Sequence, residues 1–253
     1  MNHRAQQFLA ILLWLMAGIN MPVNAQSAID QQAWQAVANQ FQVVSETTFA
    51  QMPYVVQANY DASTTVTDSQ FFARGLTLAA GAKVDIFHKQ NNLFDPAQAS
   101  VIGIQLVKVG SGMVTQIGDP SVIKITAATT AITPGDRIII SNVSASVSIP
   151  PLPINTAVTA RIIGQLTEGN IQVGSLVILN YGSERGAMMG QKLIISKPLF
   201  SRKATNGKPL QVNNIGEIVI LRTFAQASYA GITRAFAPIM ILDKLSSEGM
   251  RTK

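Results

Sequence analysis

Hydrophobic residues follow two different periods along this chain. Between residues 27 and 45 they recur every three or four positions, and glutamine or asparagine fills much of the remainder. Because a repeat near 3.6 residues is that of a helix with one apolar face, segment 26–52 is predicted to carry one amphipathic helix of about four turns. The apolar positions are Trp34, Val37, Phe41 and Val44. Trp34 and Phe41 are candidate contact residues, either for their own domain or for a neighbouring subunit.

From residue 53 onward the chain changes to short apolar runs separated by Gly, Pro and Asp, which predict β-strands. Ala82 to Phe87 is one such strand, and Ser228 to Arg234 and Ile239 to Leu242 are two others. Tyr229 and Phe236 are expected to lie in the core, as aromatic residues of strands usually do, and the alternative is that this region presents aromatic rings to a sugar. Strands this short and closely spaced favour small barrels or sandwiches over a parallel sheet with crossover helices.

A serine- and proline-rich stretch divides the β-rich part of the chain. It ends in Pro150-Pro151-Leu152-Pro153, and such prolines adopt an extended conformation that makes a semi-rigid spacer. The sequence therefore predicts a mainly β fold with two small β-barrel or sandwich domains joined by a linker. The predicted boundaries are 53–141 for the first domain, 142–157 for the linker, 158–245 for the second domain and 246–253 for a flexible tail.

The two predicted domains carry similar sequences, which indicates an internal repeat. Gly81 to Ile86 matches Gly190 to Ile195, and Ser121 to Thr126 resembles Ser228 to Thr233. The same alignment places Ile102-Gly103 with Ile215-Gly216. The alternative interpretation is that unrelated hairpins converged on similar turn and strand residues.

Leu176 to Ser196 contains two apolar runs joined through a glycine-rich segment, and it is predicted to form the central hairpin of the second domain. Glu184 and Arg185 at its tip are candidate contact residues, and the alternative is that they are solvated charges. The predicted structural turn residues are Gly182, Gly186, Gly190, Gly135 and Asp136.

The first 25 residues have the pattern of a secretory signal peptide. Arg4 precedes an apolar run from Phe8 to Ile19, and Val23-Asn24-Ala25 provides a cleavage site after Ala25. A membrane-spanning helix needs about 20 apolar residues, so no transmembrane span is expected after the signal is removed. The predicted location is the periplasm, with outer-membrane or cell-wall association as the finer alternatives.

Composition narrows the classes of partner. The chain has no cysteine, which excludes disulfides and thiolate metal sites. Lys and Arg number 19 against 13 Asp and Glu, for a formal net charge of +6. In an exported protein this excess points away from nucleic acid and toward anionic envelope material, and solubility alone is the simpler explanation.

Candidate catalytic residues are sparse. Apart from His3 in the predicted signal peptide, His88 is the only histidine, and it lies at a predicted strand end where a solvated or turn-bonded role is expected. Residues 182–186 hold a serine between glycines, but a nucleophile elbow needs that serine at the centre and a helix after it. The chain is therefore predicted not to be an enzyme and to bind no cofactor or metal.

A series of short motifs runs from Pro53 to Leu245. In chain order they are Pro53-Tyr54-Val55-Val56, Phe72-Ala73-Arg74-Gly75, Asp85-Ile86-Phe87, Pro134-Gly135-Asp136-Arg137, the glycine turn 182–190, Arg222-Thr223-Phe224 and Ser228-Tyr229-Ala230. In this order they resemble the region that follows the LysM module in bacterial exported LysM-domain proteins. The resemblance implies an envelope location and a β-rich body. A LysM module needs roughly 45 residues in β-α-α-β order, more than segment 27–52 supplies.

These expectations converge on a non-enzymatic periplasmic scaffold or accessory component of a cell-envelope assembly. The barrel pattern is also similar to periplasmic ring components of flagella and secretion machines, which are assembly parts. The expected partners are envelope proteins of a multi-subunit complex, of secretion, flagellar or wall-associated type. The alternative is a protein that binds peptidoglycan or another glycan and has lost its LysM module.

Overall fold

The computed structural model describes residues 32–58, 69–141, 158–166, 168–199 and 211–247. The predicted signal peptide, the predicted linker 142–157 and tail residues 248–253 lie outside the described residues. The chain divides into two compact units, Met1–Ala33 and Trp34–Lys253. Of the first unit only residues 32 and 33 are described, both helical, so everything below concerns the second unit.

The first half of this unit is a closed barrel of six antiparallel strands. Its ring order is β5-β4-β7-β2-β3-β6, closed by pairing of β6 with β5, and β1 adds to the outside edge of β5. Buried Val, Ile and Phe side chains fill its interior. The elements are α1 (32–38), β1 (Phe41–Val44), α2 (Glu46–Gln51), β2 (Tyr54–Ala58), β3 (Gln70–Arg74), β4 (Lys83–Asp95), β5 (Ser100–Gln116), β6 (Ser121–Ala128) and β7 (Arg137–Ile140).

The second half is another closed six-stranded barrel, in the order β10-β11-β12-β9-β8-β13. Its core holds mostly Ile, Leu and Val. The prediction of a mainly β fold with two small barrels is therefore confirmed. The elements are β8 (Ala160–Gln165), β9 (Leu176–Leu179), a 3-10 turn (Ser183–Arg185), β10 (Lys192–Leu199), β11 (Gln211–Thr223), β12 (Ser228–Ala235) and β13 (Lys244–Ser247).

The two barrels have the same strand order, because replacing β2 to β7 by β8 to β13 converts one ring into the other. This supports the predicted internal repeat but corrects one part of its alignment. Gly216 pairs with Ile195 in the second barrel, and Gly110 pairs with Ile86 in the first. The counterpart of Gly216 is therefore Gly110 and not Gly103. The sequence alignment is displaced here because β4 and β5 extend beyond the barrel as a long two-stranded arm, and Gly103 lies in that arm.

The prediction of one helix across residues 27–45 is wrong in its second half. Helix α1 ends at residue 38, and Phe41 and Val44 lie in β1, which pairs with β5 from Phe41↔Val107 to Val44↔Ile104. Aromatic and β-branched residues favour a strand when a partner strand is available, and this tertiary pairing overrides the helical spacing. The segment then forms α2, whose N-cap Ser45 accepts a hydrogen bond from the Thr48 N–H at 3.0 Å.

The predicted central hairpin over Leu176 to Ser196 is also wrong. Strand β9 pairs with β8 and β12, whereas β10 pairs with β11 and β13, so the two strands are not neighbours. The loop between them crosses one end of the barrel. The tail prediction also changes, because Ser246 and Ser247 belong to β13.

The arm formed by the ends of β4 and β5 packs on the outside of the second barrel. Leu93 from the arm shares a buried cluster with Ile178, Ala227 and Tyr229. Beyond this cluster the Asn180 side-chain amide donates to the buried Asp95 carboxylate at 3.1 Å. The barrels are therefore joined by an apolar contact and a buried hydrogen bond.

Candidate docking surface

Five turns in the described part of the chain share one backbone pattern. The third residue of each turn has positive φ, its N–H donates to the carbonyl of a buried residue on another strand, and that residue donates back to the carbonyl of the fourth. Positive φ at the third position is the requirement of a type II turn, and it favours glycine. The third residues are Gly81, Gly135, Gly174, Gly190 and Leu242, with φ of 86°, 94°, 92°, 82° and 76°.

The turns before β7 and β13 occupy equivalent places in the two barrels. Before β7, Gly135 donates to the Val55 carbonyl, and before β13, Leu242 donates to the Ile162 carbonyl. Both turns end in a buried aspartate. The Asp136 carboxylate accepts from the Thr133 N–H at 2.8 Å, as the Asp243 carboxylate accepts from the Met240 N–H at 2.8 Å.

Each of these aspartates also has a cationic or potentially cationic partner on the neighbouring strand. His88 Nδ1 lies 2.7 Å from an Asp136 carboxylate oxygen, and Lys197 Nζ lies 3.4 Å from one of Asp243. His88 in β4 and Lys197 in β10 occupy matching positions, because each lies two residues after the matched pair Ile86 and Ile195. The backbone and the polar anchor of the turn are therefore the same in both barrels.

The loops that lead into these turns differ in surface chemistry. We name residues 129–135 the polar loop and residues 236–242 the apolar loop. Each begins with an N–H bonded to the matching strand, from Thr129 to the Val109 carbonyl and from Phe236 to the Ile215 carbonyl. At four of the matched surface positions the second loop carries a large apolar side chain. These pairs are Thr129 and Phe236, Thr133 and Met240, Pro134 and Ile241, and Gly135 and Leu242.

The four apolar side chains of the apolar loop face solvent. Phe236 is 68% exposed, Met240 59%, Ile241 50% and Leu242 50%. A single isoleucine of each loop, Ile239 here and Ile132 in the polar loop, is buried and anchors the loop to its barrel. The prediction of a strand over Ile239 to Leu242 is wrong, since these residues form the turn, and the expectation that Phe236 lies in the core is wrong as well.

Leu242 occupies a backbone conformation that suits glycine better. A left-handed residue other than glycine costs about 1–2 kcal/mol, because its Cβ approaches the neighbouring carbonyl oxygen. The polar loop, with Gly135 at the same position, shows that this backbone does not require a leucine. Leu242 is therefore both strained and half-exposed, and backbone strain of this kind is concentrated at functional sites.

Three cations beside the apolar loop are engaged within the chain. Lys197 Nζ donates to the Pro238 carbonyl at 3.1 Å in addition to its contact with Asp243. Arg234 lies 3.2 Å from the Glu217 carboxylate on the adjacent strand. Arg161 donates to the Leu242 carbonyl at 2.9 Å.

The predicted turn residues have three different environments. Gly182 has φ of −117°, and a Cβ there would lie 2.3 Å from the Ala225 carbonyl oxygen, so close approach explains this glycine. Gly186 ends the 3-10 turn with φ of 85°. Gly190, Gly135 and Asp136 all belong to the recurring turn described above.

Glu184 and Arg185 lie at the opposite end of the second barrel from the apolar loop. Arg185 donates to the carbonyls of Asn180 and Thr159, both at 2.6 Å, so its guanidinium fastens the loop. Glu184 lines a cleft of about 250 Å³ together with Phe224 and residues of β1 and α2. The structure does not bring these two residues together with the apolar loop.

Trp34 and Phe41 contact the second barrel of their own chain. The Trp34 indole N–H donates to the Gly174 carbonyl at 2.9 Å, and its ring lies against Gly231, where a Cβ would be 2.6 Å from Cε3. Phe41 meets the Tyr229 ring edge-to-face at 6.4 Å. Both side chains thus help hold the amino-terminal elements against the barrel.

Sequence reasoning missed the arginine at this joint. Arg222 donates to the Phe41 carbonyl at 2.8 Å and to the Gln42 side chain at 2.9 Å, which covers the outer edge of β1. Burial lowers the pKa of Arg222 and raises the pKa of Tyr229, and the nearby guanidinium partly opposes the second shift. The sequence signal that could have identified it is an arginine that follows the apolar run of β11.

Within the described residues, no group of three or more His, Cys, Asp or Glu side chains is placed to hold a metal ion. No helix in this part of the chain has the length and apolar character needed to cross a membrane. Neither models of known protein families nor curated proteins match this sequence. The resemblance to LysM-domain proteins thus remains a prediction from its motifs.

Proposed function

We propose that this protein is a non-catalytic periplasmic scaffold or accessory component of a cell-envelope assembly, and that the apolar loop docks onto a partner protein. The observation that carries the proposal is the contrast between the two loops. Their backbones and anchors are equivalent, so the exposed side chains of the apolar loop are not needed to form it. Contact with another molecule is the remaining use for them.

The energetics suit a protein pocket. Full burial of a large apolar side chain is worth about 1.5–3 kcal/mol, and the loop offers four such side chains next to one another. Association offsets part of that gain through lost motion and ordering. Lys197 and Arg234 near the loop are paired with carboxylates, and Arg161 donates to the Leu242 carbonyl. Because these cations are engaged within the chain, an apolar pocket is a better fit than anionic lipid headgroups.

The repeat also supports a non-catalytic role for the one histidine of the described barrels. His88 and Asp136 have the proximity of a general-base pair, at 2.7 Å. At the matching place in the second barrel Lys197 and Asp243 make the same contact. Since a lysine takes the place of the histidine there, the pair is explained by anchoring the turn.

The docking surface can be tested by photo-crosslinking in the native host. A photoreactive phenylalanine analogue would replace Ile241, and a matched control would carry it at Pro134 in the polar loop. We expect a discrete protein adduct from position 241 only, which mass spectrometry identifies and reciprocal capture through the partner confirms. A variant with Phe236→Thr and Met240→Thr should lose the adduct.

Three outcomes would overturn the docking proposal. Equal adducts from both positions would show that the apolar loop has no special role. An adduct of twice the chain's mass would show a second copy of this protein. Crosslinking to lipid alone would assign the loop to a membrane surface.

A second candidate function, glycan binding, is favoured by a groove between the arm and the second barrel. The groove has a volume of about 510 Å³, and none of its lining side chains is charged. Asn91, Asn92 and Gln105 line it, and no described residue forms a hydrogen bond with their amide groups. Phe94 adds a half-exposed ring. Neutral amides beside an aromatic ring suit a ligand rich in hydroxyl and amide groups.

This candidate can be tested with soluble chitotetraose and with purified sacculi. Phe94→Ala should weaken binding to both, whereas Phe236→Thr should leave it unchanged. If the protein stays in the supernatant with sacculi and shows no saturable binding of the oligosaccharide, the glycan function is wrong and the docking proposal is unaffected.

A further inference from the structure

Arg137 at the start of β7 is held among aromatic side chains on the face of the first barrel that α2 covers. Its cross-strand neighbours are Tyr54 on β2 and Phe87 on β4, so the three side chains lie side by side. The guanidinium carbon lies 4.1 Å from the centroid of the Phe49 ring and 5.4 Å from that of Tyr54. These rings fix the guanidinium in place.

The hydrogen-bonding capacity of this guanidinium is unused by the described part of the chain. Nε of Arg137 is enclosed and has no partner. No described residue accepts a hydrogen bond from its terminal nitrogens either. A guanidinium carries five N–H donors, and arginine is normally positioned by carboxylates or carbonyls that accept from it.

Four aspartates of the first barrel are engaged elsewhere, and Glu46 on α2 makes no ion pair with Arg137 or Lys89. Asp85 pairs with Lys108, Asp95 with Asn180, Asp119 with Arg74 and Asp136 with His88. Lys89 Nζ lies 5.6 Å from the centroid of the same Phe49 ring, and no described carboxylate lies within ion-pair distance of it. Two cations thus share one aromatic ring without a counter-charge from the described residues.

We propose that Arg137, assisted by Lys89, binds a carboxylate group of an acidic peptide segment from another protein. The rings of Phe49 and Tyr54 lie close to the guanidinium and leave its terminal nitrogens as the accessible donors. A planar carboxylate pairs with these two nitrogens within the plane of the guanidinium.

The proposal can be tested by titrating the whole protein with a blocked Gly-Glu-Gly-Glu-Gly peptide at low ionic strength, monitored by NMR of the arginine side-chain N–H groups. We expect saturable binding and a shift of the Arg137 signal. Arg137→Gln should weaken binding about tenfold or more, and Lys89→Gln less. Arg137→Lys should give an intermediate result, because it keeps the charge but loses the planar fork.

The control variant is Arg74→Gln, which removes an exposed arginine already paired with Asp119 and should leave binding unchanged. The Gln version of the peptide should not bind. If Arg137→Gln fails to fold, Lys89→Gln and the wild-type Arg137 signal still report on the site. An unshifted Arg137 signal would overturn the proposal. So would Arg137-dependent binding of inorganic phosphate or phosphatidylglycerol vesicles in preference to the peptide.

Discussion

The polar loop of the first barrel and the apolar loop of the second occupy the same place in the repeat, between the fifth strand and the sixth. Both begin on a buried strand residue, bury one isoleucine and end in an aspartate that closes the turn. They differ at six surface positions, and at four of these the apolar loop carries a large apolar side chain. The comparison separates what the loop needs in order to fold from what has been added to it. The shared aspartate and isoleucine belong to the fold, and we propose that the four apolar side chains serve an interaction.

The largest expected effect comes from removing the shared aspartates. Asp136→Ala and Asp243→Ala should each lower the free energy of unfolding by about 2–3 kcal/mol, because each leaves a turn N–H and a cationic partner unpaired. Urea titration provides the measurement, with Asp119→Ala as a control because its ion pair with Arg74 is exposed. A large loss in one barrel and none in the other would show that the turns are not equivalent.

Gly135→Leu would give the polar loop the residue found at the matching place in the apolar loop. We expect it to lower the free energy of unfolding by about 1–2 kcal/mol, since φ of 94° brings the new Cβ toward a carbonyl oxygen. Ala131→Leu adds a similar apolar side chain at an exposed position without positive φ and should change stability little. Equal effects of the two substitutions in urea titrations would contradict the assignment of strain to this position.

A second difference between the barrels lies at Tyr229, whose counterpart in the first barrel is Val122. Because burial raises the pKa of Tyr229 above its ordinary value of 10.0, the tyrosine loses its proton in the unfolded chain before it does in the folded protein as pH rises. The stabilising contribution is complete below pH 10 and is lost as pH rises toward the folded-state pKa. Between pH 9 and 11 the wild-type protein should therefore lose about 1 kcal/mol more than Tyr229→Phe. Equal losses in urea titrations at the two pH values would contradict this.

Leu242→Gly should give the smallest effect, and one of opposite sign. Relief of about 1–2 kcal/mol of strain is partly offset by the 0.5–1 kcal/mol entropic cost of glycine, so stability should rise by less than about 1 kcal/mol. Thermal and urea unfolding would measure it, with Ile241→Gly as a neighbouring control that relieves no strain. A clear loss of stability would mean that Leu242 contributes packing within its own chain.

The sequence predicted the parts of this fold that depend on local chemistry. The glycine turns at Gly135-Asp136 and Gly190 could be identified because positive φ restricts residue choice strongly. The pairing of β9 with β8 and β12 could not be identified from the sequence. Strands β9 and β10 are consecutive in the chain, but consecutive strands need not be neighbours in the barrel. The spacing of Phe41 fits both a helix and a strand. The sequence predicts a helix because the partner strand β5, which favours the strand, lies far away in the chain.

The candidate docking surface could not be predicted from the sequence for a related reason. Ile239 to Leu242 are apolar and β-branched or aliphatic, which is the composition of a buried strand. Only Ile239 of the four is buried, because positive φ at Leu242 turns the chain before the next strand begins. The signal that could have shown this is the alignment with Thr133-Pro134-Gly135, a turn sequence at the same place in the repeat.

The most direct test of the central claim uses the chain's own polar loop as a replacement. A variant with Phe236→Thr, Met240→Thr, Ile241→Pro and Leu242→Gly carries the four matched residues of the first barrel. Its affinity for the partner captured at position 241 should be measured by calorimetry beside the wild-type protein. The account predicts unchanged or higher folding stability and at least about a hundredfold weaker binding, a loss of about 2.7 kcal/mol. Wild-type affinity in a folded variant would contradict it.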